Sequence, residues 1–170
     1  MFSFLKKKDE KIYDQIRDFE KRLNRAFAPL LEKPQKPILA NAALIGMATN
    51  IALYFVAMKD VSFFQENTKF FLHEIGMGFG EVVETVTGEK VKKDEAATML
   101  IKEMEKTSVL YCSSLDKSAV NPQEALDGCI QIFLDSAEGW EFKGEVERTM
   151  AVIKLSEEIK ILMNRFRSTL

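Results

Sequence analysis

Apolar residues recur at spacings of three and four along most of the chain and nowhere alternate over a sustained run, so the pattern predicts helices and no sheet. Ile12, Ile16, Phe19, Leu23, Phe27 and Leu30, separated by charged residues, predict an amphipathic helix over 9–32. Pro34-Gln35-Lys36-Pro37 is expected to end it, because each proline biases the residue before it away from helix. Residues 38–58 then run without a single charge until Lys59-Asp60. Ser62 with Gln65 resembles a capping box for a helix over about 63–87 that stops at Gly88.

Three further helices follow. A fourth, over 94–115, aligns Ala97, Leu100, Met104, Ser108, Tyr111 and Leu115 on one side. Asn121-Pro122-Gln123-Glu124 is a strong start signal: Asn caps, Pro takes the first helical position and Glu reaches back from the third. The fifth helix carries Leu126, Ile130, Phe133 and Ala137 in a stripe, and the last, over 145–167, carries Val152, Leu155, Ile159, Leu162 and Phe166. Between them Trp140 and Phe142 sit in a glycine-flanked loop expected to dock on the body. The fold class is all-α: about six helices around the central apolar helix, which pairs with 63–87 as an antiparallel hairpin. The chain reads as one helical domain over 1–170, with the basic amphipathic helix of 1–33 separable through the 34–37 linker.

The charge-free helix admits three accounts: a buried core helix, a membrane span, and a segment that moves between the two. It is long enough, at roughly 31 Å, to cross a hydrocarbon layer, and basic residues precede it. Against this, Asn41, Gly46, Thr49 and Asn50 reduce its apolarity, and an amide near mid-span is costly in lipid. A buried core helix is the favoured expectation, with a single-span anchor as the alternative.

If the hairpin turns near Val61, residues at equal height have numbers summing to about 122. Ala42 then faces Gly80, Gly46 faces Gly76, and Thr49 faces His73, which would hydrogen-bond Thr49 or Asn50. Small residues opposite small residues let two backbones approach closely, which would compensate the cost of glycine inside a helix. This account leaves Gly78 unexplained, and the competing expectation is a hinge at Gly76–Gly80.

Charge changes the picture modestly. The net charge of −2 divides into ten Lys/Arg against six Asp/Glu over residues 1–37, and fourteen against twenty over 59–170. A basic head on an acidic body suits an anionic membrane surface or an acidic partner, and the field is too weak for nucleic acid. Phe2, Phe4 and Leu5 beside Lys6, Lys7 and Lys8 are expected to form a frayed, solvated terminus, the alternative being a tip that rests on an anionic bilayer or contacts a partner. That order is the reverse of an export signal, so the expected location is cytoplasmic, peripheral to a membrane or anchored in one.

Candidate chemistry is sparse. Cys112 and Cys129 read as small buried hydrophobes, and one histidine cannot complete a Cys/His zinc site. His73 with Glu74, Glu81 and Glu84 cannot supply the paired Glu-x-x-His motifs of a carboxylate-bridged metal site. No catalytic, cofactor or metal residue is nominated. The expected function is a non-enzymatic helical interaction or regulatory protein, acting with a protein partner or as a homo-oligomer. The alternatives are a single-span membrane subunit with an acidic helical domain, and a helical carrier whose groove, lidded by the first helix, holds a hydrophobic ligand.

Overall fold

The computed structural model describes residues 2–32, 37–136 and 140–169, with the side chains of 2–9, 37, 86, 93 and 169 outside the description. Six helices pack on one another: α1 Phe2–Phe27, α2 Pro37–Lys59, α3 Val61–Thr87, α4 Lys93–Leu115, α5 Pro122–Ser136 and α6 Glu145–Thr169. A 3-10 turn, Asp116–Ala119, links α4 to α5. Among the described residues the one pairing of extended backbone is an isolated bridge between Leu31 and Phe142.

The expected ends hold where a local signal sets them. Gly88 closes α3 in the left-handed conformation with φ 73°, and Asn121 caps α5, its Oδ1 accepting from the Glu124 N–H at 3.2 Å. Three ends differ from expectation, the first being the start of α1, which lies at Phe2 rather than 9. Helix α1 stops at Phe27 rather than 32. Pro29 is the cause, since it disfavours helical backbone at Ala28 and lacks an N–H to continue the ladder. Helix α3 starts at Val61, capped by the Asp60 carboxylate accepting from Phe63 N–H at 2.9 Å, so Ser62 lies inside the helix. The linker 34–37, apart from the helical backbone of Pro37, lies outside the described residues.

Directions follow from cross-contacts. Gly46 lies against Met104, and the Tyr54 hydroxyl donates to Asp116 at 2.9 Å, so α2 and α4 run parallel. Gly76 lies against Ala97 and Gly80 against Ala96, which sets α3 antiparallel to α4 and therefore to α2. The α2–α3 hairpin is thus present and turns at Asp60. On the other side of α2, Arg22 Nε donates to Glu158 at 2.7 Å and Arg165 Nη1 to Asp18 at 2.8 Å, placing α1 antiparallel to α6.

Helix α2 is enclosed by this arrangement. Every residue from Leu44 to Ala52 is buried, roughly two and a half turns with no solvent-facing side. It is the one helix, among the described residues, long and apolar enough to cross a membrane. Inside the bundle its apolar atoms meet Ile12, Phe19 and Leu23 of α1, Phe71, Ile75 and Phe79 of α3, and the stripes of α4 and α6 in a single core. One corner of that core is clasped across the sequence. Trp140 donates its Nε1–H to the Ala40 carbonyl at 2.9 Å and meets the Phe27 ring edge-on at 5.1 Å, while Glu32 N–H donates to Glu141 O at 2.8 Å.

The glycine crossing lies elsewhere than the chain-neighbour register places it. A Cβ on Gly76 would come within 2.5 Å of the Cα and Cβ of Ala97, and one on Gly80 within 3.2 Å of the Ala96 Cβ. The close approach is therefore α3 on α4, not α2 on α3. Gly46 faces the flexible Met104 side chain, 3.3 Å from where its Cβ would sit. Gly78 also finds its reason, because the Tyr13 hydroxyl passes 2.8 Å from its Cβ position. Helix α3 is continuous through Gly76–Gly80, without a hinge.

These placements separate two alanine substitutions. Gly76→Ala should destabilise the fold by about 1–3 kcal/mol, because backbone atoms of α4 must move. Gly46→Ala should be neutral or mildly stabilising, since Met104 can shift and alanine is favoured by about 1 kcal/mol inside a helix. Urea denaturation of both variants checks this, and equal losses would contradict the assigned crossing.

Candidate functional site

The α4–α5 pair is tight at one end and open along its outer edge. At the tight end the Ser114 hydroxyl donates to the Ala125 carbonyl at 3.0 Å, and a Cβ on Gly128 would fall 2.1 Å from the same oxygen. Glycine at 128 is what lets the two helices meet there. From this end an open cleft of ≈ 870 Å³ runs between them, bounded by Thr107, Leu110 and Ser113 on α4 and by Asp127, Ile132 and Asp135 on α5. A smaller pocket of ≈ 200 Å³ adjoins it and shares Lys106, Thr107, Asp135 and Ser136 with its walls. Its floor is α2, at Leu39, Ala42, Ala43 and Gly46. The small residues of α2 thus leave space at the base of the cleft.

The charges around the cleft do not balance. Lys106 pairs with Glu103 at 2.6 Å and Lys117 with Glu124 at 2.6 Å, and Lys117 holds the Glu124 carboxyl below its ordinary value. Asp127 and Asp135 instead accept from neutral amides, Gln123 Nε2 and Gln131 Nε2, each at 2.7 Å. Among the described residues neither aspartate pairs with a cation, so the α5 rim is acidic. Apolar area accompanies it, with Leu110 54 % exposed and Val109 76 % exposed beside it on α4.

The residues singled out in the sequence are dispersed. Thr49 donates to its own helix, to Ile45 O at 2.7 Å, not to His73. His73 stands exposed on α3, so the expected hydrogen bond to Thr49 or Asn50 does not form. Asn50 is buried with its Nδ2 unpartnered among the described residues, and so is the Tyr111 hydroxyl, at 1 % exposure. Burial, reinforced by the neighbouring Cys129 thiol, keeps the Tyr111 hydroxyl un-ionised well above its ordinary value. The cysteines part company: Cys129 is buried and pushed up to about 11 by desolvation, whereas Cys112 is exposed, contrary to its expected burial. Phe2, Phe4, Leu5, Lys6, Lys7 and Lys8 have helical backbone, and their side chains lie outside the described residues. Among the described residues no three His, Cys, Asp or Glu side chains stand together as metal ligands.

The cleft had no local sequence signature. It arises from two helices meeting at Gly128 and opening over small residues of a third, and only Gly128 inside an otherwise good helix hinted at it.

Two expectations follow from the buried groups. Tyr111→Phe should raise stability by about 1 kcal/mol, because it removes a buried hydroxyl without an acceptor; a loss of stability in thermal unfolding would show the hydroxyl to be satisfied. A thiol reagent at about pH 8 should modify one cysteine of the native chain and reach the second only in denaturant, since a buried thiol held un-ionised is inert. Two equally fast reactions would contradict the burial of Cys129. No family model, curated protein or solved structure matches this chain, so a reading of its function rests on geometry and charge.

Proposed function

We propose that the chain is a non-enzymatic helical binding module whose α4–α5 cleft receives a cationic amphipathic segment of a protein partner. The observation that carries this reading is the pairing of an open, partly apolar cleft with an acidic rim, set over a pocket floored by small residues. Helix-in-groove recognition uses that combination: apolar anchors enter the groove and flanking charges fix orientation. A pocket of ≈ 200 Å³ suits one bulky aliphatic or aromatic anchor. The rim then selects the sign of the charge beside it and speeds encounter.

Burial of α2 supports a binding module built on a core over one that spans a bilayer. Exposing Leu44–Ala52 to lipid would strip that segment of its contacts with α1, α3, α4 and α6, and leave their apolar stripes uncovered. Recovery of the chain as a discrete species without detergent is the expected result.

The binding reading is tested with two designed peptides of equal apolar content, one carrying lysines and the other glutamates on its polar face. Fluorescence anisotropy with the full chain should show the cationic peptide binding at least about tenfold more tightly. Ala43→Trp, which fills the pocket from its floor, should abolish that binding while helicity and thermal stability are retained. Equal affinity for both peptides, or unchanged binding by the variant, would overturn the reading.

A further inference from the structure

We infer that the cleft of one copy receives the Phe2–Lys8 segment of another, joining copies of this chain head to tail. This deepens the cleft reading above and rests on it. The chemistry of the segment matches what the cleft lacks. Phe2, Phe4 and Leu5 supply bulky anchors, and Lys6, Lys7 and Lys8 bring three consecutive cations to a rim where Asp127 and Asp135 pair with no cation among the described residues.

Placement favours docking between copies. Ile12 of α1 lies in one pocket with Leu53 and Val56 of α2, so by an antiparallel register the turns before Asp9 run past Lys59, the last residue of α2. Helix α6 ends sooner still on that side, because Arg165 is already level with Asp18. The first turns of α1 therefore run past the ends of α2 and α6, two of the three helices on which it packs, with α3 alone beside them. The cleft lies on the far side of α2, formed by α4 and α5, whereas α1 packs on α2, α3 and α6. A continuous helix anchored by Ile16, Phe19, Leu23 and Phe27 cannot bend its first turns around the body to its own cleft.

Because the two contacting surfaces differ, the contact is heterologous. Such a contact closes into a ring, of which a reciprocal two-fold dimer is the smallest, or extends as a filament. Its lysine–aspartate component is solvent-exposed, so association weakens as salt is raised.

Sedimentation velocity on the full chain tests this with two charge-reversed variants. The first is Lys6→Glu/Lys7→Glu/Lys8→Glu, which keeps its cleft and loses its cationic segment; the second is Asp127→Lys/Asp135→Lys, which keeps the segment and loses the acidic rim. The expected result is a wild-type mass that rises with concentration and falls with salt. Each variant alone is monomeric, and their equimolar mixture associates again, because the native segment meets the native rim and the glutamate segment meets the lysine rim. A monomeric wild type at all concentrations, variants that associate as the wild type does, or a mixture that stays monomeric would overturn the inference. The designed cationic peptide separates the two readings: if it binds wild type and fails on Asp127→Lys/Asp135→Lys while the wild type stays monomeric, the cleft reading stands and self-docking falls. If that peptide does not bind either, both fall.

Discussion

A helix with no charged side chain over 38–58 has to be covered on all its sides, and this requirement organises the bundle. An amphipathic helix needs a partner on one face. Helix α2 needs partners all round, and it obtains them by recruiting α3 and α4 on one side and α1 and α6 on the other. The parallel run of α2 and α4 follows, because the α2–α3 and α3–α4 connections are both short and each reverses the chain. Helix α5 reverses it again and covers only part of the remaining edge, which leaves the cleft.

The sequence made the helices legible wherever a side chain acts on its own backbone. Gly88, with its positive φ, and Asn121, with its side-chain oxygen on the Glu124 N–H, mark ends by chemistry confined to one turn. Helix α1 ends short of what its spacing predicts, because Leu30 continues the apolar pattern past Pro29, and a proline outranks periodicity. The stripes of α4, α5 and α6 were legible for the same local reason, since every residue that repeats at three and four shares a face.

Pairings between helices were less legible. A close crossing at Gly76 and Gly80 can be inferred from the residues alone, but the partner cannot. The α2–α3 hairpin offered Gly46 and Ala42 at matching heights, whereas the contact went to Ala96 and Ala97 of α4, which are also small and adjoin α3 through a short loop. Gly78 needed Tyr13, 65 positions earlier in sequence, to make sense. The cleft was least legible, being a property of three helices at once.

The clasp between the two ends of the sequence sets the order in which the chain can complete itself. Arg22 meets Glu158 across 136 positions, Arg165 meets Asp18 across 147, and the Leu31–Phe142 bridge closes beside them. During synthesis α1 and α2 emerge before α6, the helix that completes their cover. The α2–α3–α4 layer can assemble through local contacts, while the long-range closure waits until α6 has been made. Until then one flank of the charge-free helix is bare, so the nascent chain passes through an adhesive stage that the finished molecule no longer displays.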